Sequence, residues 1–183
     1  MTKYIVLGRF QPFHMGHEYL VKSAFELVGE NDQLTIVIGS KQAGWEPENP
    51  WTAEERKSMI EDWAEVANIS AEIVSVEDIN DPPNWVNHAT KTHGEGVLVT
   101  TDGATAELYR NAGFEVHTPE MMQREEFEGW RVRQTAKMLS TVYDDEAVRE
   151  VLKASLPQPI IEWLIEHDGL FRLSTFETGV HAG

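Results

Sequence analysis

The sequence predicts an α/β fold in which a parallel β-sheet of about five strands is covered by helices on both faces. Two observations predict it. Short apolar runs of strand length alternate with amphipathic segments of helical periodicity, and continuously apolar strands are typical of parallel sheets buried on both faces. The chain has 183 residues, of which 41% are hydrophobic and 25% charged, so it can also form one domain with a full hydrophobic core.

Five apolar runs are predicted to form the strands. They cover residues 4–8, 34–39, 71–76, 97–100 and 114–117. Because helical segments separate these runs, we expect the strands to lie parallel in a doubly wound, Rossmann-like sheet. The carboxyl ends of the strands would then meet at one edge, where open α/β sheets bind their ligands.

Helical periodicity fills the segments between the strands. Three of the predicted helices cover residues 18–28, 84–93 and 105–112. Gly113 is expected at the C′ position that ends the last of these. A further helix is predicted to begin at Thr52, because Thr52 and Glu55 have the spacing of a capping box. Its inner face is predicted to carry Met59, Ile60, Trp63 and Val66.

The chain after the last strand is predicted to be helical from Trp130 to His167, with breaks near Tyr143 and at Pro157. No linker, internal repeat or low-complexity tract divides the sequence. We therefore expect a single domain, residues 1–183. Its core would cover about residues 3–128 and its helical C-terminal segment about 129–172, followed by a tail over residues 173–183 that lacks periodicity.

The charge balance excludes several classes of partner. Thirty-one acidic residues against fifteen basic ones leave a formal charge of −16, which argues against binding to nucleic acid or to an anionic membrane surface. An anionic substrate would need basic residues that cluster locally. The absence of cysteine excludes disulfide scaffolds and thiolate zinc sites. Without a membrane-length apolar run or a secretory signal, the sequence predicts a soluble cytoplasmic protein.

The turn after the first strand has the composition of a phosphate site. It reads Gly8-Arg9-Phe10-Gln11-Pro12-Phe13-His14-Met15-Gly16-His17 and leads directly into an amphipathic helix, whose N-terminus attracts anions. Gly16 allows the backbone to approach a phosphate closely. His14 and His17 can donate hydrogen bonds to phosphate oxygens, and Arg9 adds a forked cationic contact. Alternatively, the histidines could merely cap the helix; a zinc site is disfavoured because no third ligand is nearby.

This run resembles the HxGH signature of nucleotidyltransferases. Two further blocks, Gly39-Ser40-Lys41-Gln42 and Asn49-Pro50-Trp51-Thr52-Ala53-Glu54-Glu55-Arg56, are similar to the archaeal type of nicotinamide-nucleotide adenylyltransferase. The resemblance continues through residues 78–79, 84–86, 100–102 and 114–116, and it reaches at least Arg133. It therefore covers most of the chain.

The resemblance implies the transfer of AMP from ATP to nicotinamide mononucleotide (NMN), which forms NAD and pyrophosphate by direct in-line attack. It implies that His14, His17 and Arg9 are catalytic residues that contact phosphate, that Mg²⁺ enters with ATP, and that the protein is a homo-oligomer. The implied ATP ligands are Gly8, Arg9, Phe10, His14, Gly16, His17, Asp102, Gly129, Arg131 and Arg133. The implied NMN ligands are Ser40, Gln42, Asp78 and Trp85.

Some of these residues have a second interpretation. Asp102 could be an ordinary helix N-cap, and Trp85 by itself could be a core residue. Two segments also depart from the family pattern. Glu128 and Trp130 replace hydroxyl residues that bind the outer phosphates of ATP, and Arg131 could compensate by pairing with Glu128 or by reaching the phosphate. Glu48 stands where close relatives can place an arginine, and Lys41 is the candidate substitute for that arginine.

Two hypotheses compete with the one that the resemblance implies. The first is a nucleotidyltransferase with another acceptor, namely nicotinic acid mononucleotide, phosphopantetheine or FMN. The second is a non-catalytic nucleotide-binding module, of which the altered turn at Glu128 and Trp130 would be the sign. The intact Arg9, His14 and His17 argue against the second hypothesis, because a non-catalytic module has less need of two histidines that polarise phosphate.

Overall fold

A computed structural model gives the fold of this protein and describes residues 1–120 and 128–176. Within them lie five strands: β1 (Lys3–Gly8), β2 (Gln33–Ile38), β3 (Glu72–Ser75), β4 (Val97–Val99) and β5 (Glu115–His117). They form one sheet in the order β3-β2-β1-β4-β5, in which every neighbouring pair is parallel. The predicted doubly wound α/β fold is confirmed.

Four helices alternate with these strands, and a helical segment follows them. The first four are α1 (Met15–Phe25), α2 (Ala53–Ala67), α3 (Pro82–His93) and α4 (Gly103–Asn111). In the described part of the C-terminal segment the helices are α5 (Gly129–Met138), α6 (Asp145–Leu152), α7 (Gln158–Glu166) and α8 (Phe171–Ser174). The predicted breaks at Tyr143 and Pro157 are confirmed. None of the helices in residues 1–120 and 128–176 is long and apolar enough to cross a membrane.

Helices cover both faces of the sheet, as predicted. Alternate residues of β1 show this, because Val6 belongs to one buried cluster and Ile5 to the other. The larger cluster joins the sheet to α1, α2 and the C-terminal helices, and the smaller one joins it to α3 and α4. Strand order reverses between β1 and β4, so the ligand crevice of an open α/β sheet is expected at the carboxyl ends of these two strands.

The capping box predicted for α2 is confirmed, but one of the four residues predicted to lie on its inner face is exposed. Thr52 is the N-cap, and it exchanges hydrogen bonds with Glu55 as a capping box requires. Met59, Ile60 and Trp63 are buried, whereas Val66 is 74% exposed. The reason is local: α2 ends at Ala67, Asn68 turns the chain at φ 54°, and Ile69 folds back into the core instead.

The predicted end of α4 matches the structure, whereas the predicted start of the C-terminal tail does not. Gly113 lies at C′ of α4 with φ +90°, a conformation that favours glycine, and its N–H donates to the carbonyl of Arg110. The predicted tail is shorter than expected, because α8 extends into it and Leu173 is buried in the larger cluster. Residues 177–183 of that tail lie outside the described residues.

Candidate active site

Buried aromatic side chains hold the run after β1 in place. Phe10 and Phe13 are buried, and the ring of Phe13 lies 4.6 Å from that of Trp63 on α2. Phe10 adopts a left-handed backbone conformation with φ 54°. A Cβ on Gly8 would come within 2.9 Å of the Phe10 ring, so only glycine fits at the end of β1. These contacts fix the turn that leads into α1.

His14 and His17 form the cap of α1. His14 is the N-cap, and its Nδ1 accepts the Gly16 N–H at 3.1 Å. Three residues further on, the Nδ1 of His17 accepts the His14 N–H at 3.2 Å. The two rings stack with their centroids 3.7 Å apart. Because each Nδ1 is an acceptor, each neutral ring carries its hydrogen on Nε2.

Both histidines are neutral at physiological pH. Burial, and to a lesser extent the nearby charge of Arg133, lower the pKa of His14 to about 4. Burial also holds the pKa of His17 well below its ordinary value; His14 adds to this shift, and the Pro12 carbonyl opposes it. Each neutral ring therefore has a single N–H donor, on Nε2, and carries no buried charge. The capping alternative and the phosphate-binding function are compatible, because they use different nitrogens of the same rings.

Two arginines lie at the turn that carries the histidine pair. Arg9 is exposed, and its Nη1 lies 3.4 Å from Oδ1 of Asn49. Arg133 on α5 is half-buried and donates from Nη1 to the Gln11 carbonyl at 2.9 Å. Burial lowers the pKa of Arg133, Arg9 lowers it further, and Glu48 opposes the shift. This is the local cluster of basic residues that an anionic substrate requires in a chain of net charge −16.

The N-terminus of α5 departs from the family pattern in structure as well. Glu128 occupies the N-cap position without a side-chain capping bond, and it accepts a hydrogen bond from the Trp130 indole N–H. Arg131 Nε lies 3.9 Å from the same carboxylate, and its guanidinium covers the Trp130 ring at 5.0 Å. Of the two alternatives for Arg131, this structure contains the ion pair. A Cβ on Gly129 would lie 3.0 Å from Arg133 Nη1, so glycine leaves room for that guanidinium.

Three of the expected NMN ligands meet where β2 and β3 end. The Ser40 hydroxyl donates to Asp78 Oδ2 at 2.6 Å, and Gln42 Nε2 donates to the same oxygen at 3.2 Å. The Asp78 N–H donates in return to Gln42 Oε1 at 3.1 Å. Trp85 lies on α3, half-buried against the smaller cluster, with its ring 5.8 Å from that of His88.

Asp102 follows β4, on the other side of the point where strand order reverses. It is the N-cap of α4, and its Oδ2 accepts from the N–H and the hydroxyl of Thr105 at 2.9 and 2.7 Å. The N-cap interpretation of Asp102 is therefore confirmed. Its place beside β1 is also the place expected of a residue near the nucleotide.

Sequence reasoning assigned no role to Gln11 or Arg56. Gln11 exchanges two hydrogen bonds with the backbone of the buried Trp51, at 2.9 and 3.1 Å, and so joins the turn after β1 to the loop before α2. Arg56 lies fully buried beneath the ends of β1 and β2. Both residues bond mainly to backbone groups that are distant in sequence, which a motif does not reveal.

A family model described as cytidylyltransferase-like matches residues 5–161. The chain belongs to the cytidylyltransferase-like family. Among curated members, it is 34% identical over 176 residues to the nicotinamide-nucleotide adenylyltransferase of Methanolobus tindarius, covering 96% of this chain and 94% of that protein. The nicotinamide-nucleotide adenylyltransferase of Thermoplasma volcanium is 32% identical, and the match covers 94% of this chain and 91% of that protein. The resemblance to the archaeal type that the sequence motifs indicate is confirmed.

Solved structures share the fold of this family member. A bifunctional NMN adenylyltransferase/ADP ribose pyrophosphatase from Francisella tularensis superposes with a TM-score of 0.62 at 18% identity. The match covers 97% of this chain but only 58% of the bifunctional one. Nicotinic acid mononucleotide adenylyltransferase of Plasmodium falciparum, complexed with APC, gives a TM-score of 0.56 at 12% identity, with 93% and 97% covered. At these identities the likeness concerns the fold alone.

Proposed function

We propose that this protein transfers the adenylyl group of ATP to NMN, forming NAD and pyrophosphate. The observation that carries the proposal is the stacked pair of neutral histidines at the N-terminus of α1, with Arg9 and Arg133 close by. Nicotinamide-nucleotide adenylyltransferases that match nearly the full length of the chain support the choice of reaction. Arg9, His14 and His17 are the proposed catalytic residues.

The proposed reaction is a direct displacement. A phosphate oxygen of NMN attacks the α-phosphorus of ATP, the new P–O–P linkage of the dinucleotide forms, and the bond to pyrophosphate breaks. Negative charge shifts onto the phosphate oxygens during this step. The Nε2–H groups of His14 and His17 donate to those oxygens, and Arg9 and Arg133 offset their charge. By analogy with an oxyanion-hole donor, each histidine would stabilise the transition state by about 3 kcal/mol.

The remaining proposed ATP ligands belong to the turn after β1 and to two helix N-termini. Gly8, Phe10 and Gly16 shape the turn, and Gly129, Arg131 and Asp102 lie at the N-termini of α5 and α4. Arg131 can reach phosphate only by leaving its ion pair with Glu128. This requirement predicts weaker contacts with the outer phosphates than a hydroxyl turn would provide.

We propose that Ser40, Gln42, Asp78 and Trp85 bind NMN. The hydrogen-bonded group of the first three supports this, since it lies at the same sheet edge as the histidines. Trp85 offers a partly exposed indole on which the nicotinamide ring could stack. NMN in this position would bring its phosphate toward the turn after β1.

Mg²⁺ is proposed to enter with ATP. Among residues 1–120 and 128–176, no group of three or more His, Cys, Asp or Glu side chains could hold a metal ion. A related fold from Francisella tularensis was solved with AMP and a Mn ion. Bound to the triphosphate, a divalent ion would neutralise part of the charge on the leaving pyrophosphate. A homo-oligomeric state, which rests on the family resemblance, and a cytoplasmic location are further proposals.

The test is NAD formation by the purified protein with ATP, Mg²⁺ and NMN, read by coupled reduction. A parallel reaction with nicotinic acid mononucleotide tests the main alternative acceptor. We expect NAD formation, and a fall in kcat of about 100-fold or more in His17→Ala. His17→Gln is the matched control for folding, because glutamine at this position can still accept the His14 N–H. Failure with both acceptors, although ATP binds, would refute the proposal.

A further inference from the structure

The proposed chemistry leaves one buried cation near the site unused. Arg56 is 0% exposed and lies in the first turns of α2. Its guanidinium donates to five backbone carbonyls: Arg9 (2.7 Å), Gly39 (2.8 Å), Ser40 (3.0 Å), Ala43 (3.3 Å) and Thr52 (3.2 Å). A guanidinium has about five N–H donors in a rigid fork, so its hydrogen-bonding capacity is filled by backbone alone.

These carbonyls belong to the segments that carry the proposed ligands. Arg9 and Gly39 directly follow β1 and β2, which are neighbours in the sheet. The side chain of Arg9 is a proposed phosphate ligand. The hydroxyl of Ser40 is bonded to Asp78 in the proposed NMN site. Arg56 is therefore attached to the backbone of both halves of the site.

Near two of these carbonyls the backbone adopts a conformation that is unfavourable for residues with a side chain. Phe10 and Ser40 have φ values of 54° and 50°, in the left-handed region. The Arg9 carbonyl is part of the peptide unit that precedes Phe10, and the Ser40 carbonyl lies within the strained residue itself. Such conformations persist only where the surrounding structure holds them. The hydrogen bonds of Arg56 restrain both.

The geometry points to Arg56 as a positioning residue for adenylyl transfer, whose fork holds the ends of β1 and β2 so that the ligands of ATP and NMN lie in register. This inference rests on the proposed function of those ligands. Arg56 does not touch the substrates, since its side chain is enclosed by backbone. Burial and the neighbouring Arg9 lower its pKa to about 10, opposed by Asp78, so it stays charged at neutral pH.

A lysine cannot replace this fork. Its ammonium group has fewer donors, and they radiate from one point rather than lying in a plane. We therefore expect Arg56→Lys to fold with its charge retained but to release some of the carbonyls. A displacement of about 1 Å among positioning groups can cost about 100-fold in rate.

The experiment compares Arg56→Lys and Arg56→Gln with Met59→Ala. Met59 lies on the same helix and is also 0% exposed, but it packs in the larger apolar cluster. Thermal unfolding and kcat with both KM values are measured, the kinetics well below the unfolding midpoint. We expect kcat to fall about 100-fold in the Arg56 variants and about 2-fold or less in Met59→Ala, at comparable losses of thermal stability. Equal effects on kcat would overturn the inference.

Two further measurements separate this inference from the proposed function. If the wild-type protein binds ATP but forms no NAD, the proposed function fails, and calorimetric ATP affinity becomes the readout for Arg56. Affinity weaker in Arg56→Lys than in Met59→Ala by about 10-fold supports positioning; equal affinities overturn it. If the Arg56 variants do not fold, hydrogen exchange of the guanidinium N–H groups is measured from ¹⁵N spectra of the wild-type protein instead. Slow hydrogen exchange at Arg56, little changed by ATP, supports the inference, and rapid exchange overturns it.

Discussion

The two histidines show how single residues can serve the fold and the proposed chemistry together. Helix caps of this form usually combine Ser or Thr with Glu or Gln. Here His14 and His17 take those positions and accept the capping hydrogen bonds through Nδ1. Each ring then keeps a second nitrogen for a ligand. Protonation of either ring would remove an acceptor from the cap, so the cap requires the neutral state.

The pKa of His14 predicts how stability depends on pH. In the folded protein burial lowers this pKa to about 4, whereas the ordinary value is 6.5. Between these values the unfolded chain binds a proton that the folded chain does not, so the free energy of unfolding decreases as pH falls from 6.5 to 4. The full difference amounts to about 3 kcal/mol. His17 acts in the same direction.

Urea unfolding of the wild-type protein and of His14→Asn, at several pH values from 7 to 4.5, checks this prediction. Asparagine keeps an N-cap acceptor and does not titrate. We expect a flatter dependence on pH in the variant below about pH 6. Identical slopes would show that His14 does not contribute to the acid sensitivity.

At the scale of one element, the N-terminus of α5 shows a different balance of charges from the one the family pattern implies. Glu128 neutralises Arg131, and both contact Trp130. The first turn of this helix therefore presents a carboxylate and an indole, where hydroxyl groups would donate to phosphate. Arg133, one turn further on, still faces the histidine pair.

The double variant Glu128→Ser/Trp130→Thr is expected to bind ATP more tightly. It removes a carboxylate from the phosphate site, releases Arg131 and introduces two hydroxyl donors. A gain of one net hydrogen bond, about 1 kcal/mol, corresponds to an affinity increase of about 5-fold. Calorimetry with ATP and Mg²⁺ measures it. Glu166→Ser, which removes an exposed carboxylate from α7, controls for the change in net charge, and an equal gain there would contradict the prediction.

At the scale of the whole molecule, the C-terminal segment supports the loops that form the site. Arg172 on α8 pairs with both carboxylate oxygens of Glu55, at 2.6 and 2.8 Å, and donates to the Pro50 carbonyl at 3.1 Å. Its guanidinium also covers the Trp45 ring at 3.6 Å. Since Asn49 of the same loop contacts Arg9, the last helix and the phosphate site are linked through one loop.

Breaking this link is expected to destabilise the protein strongly. Arg172→Met would leave Glu55 in a largely enclosed position without its partner, at a cost of about 3 kcal/mol in the free energy of unfolding. The Arg172 side chain is 9% exposed, whereas that of Arg149, which also pairs with glutamates, is 35% exposed. Arg149→Met should therefore cost clearly less in the same urea titration. Similar losses in both variants would refute the role assigned to Arg172.

The sequence by itself determined the order of the elements and the capping box of α2, and it predicted where the proposed phosphate site lies. These features are local: apolar runs, helical spacing and a motif of ten neighbouring residues each contain the information that defines them. The glycine that ends α4 is also a local feature that the sequence predicts. Val66 shows the limit of prediction from local spacing, because its exposure depends on where α2 ends and on Ile69 filling the core.

Only the tertiary structure decided how the site is held together. The carbonyls bound by Arg56, the exchange of hydrogen bonds between Gln11 and Trp51, and the pairing of Arg172 with Glu55 join residues that are distant in sequence or that act through backbone atoms. The neutral state of His14 is likewise a consequence of burial and of Arg133. Side-chain identity specifies what a residue can donate or accept, but packing determines which groups come within reach and how strongly they are desolvated.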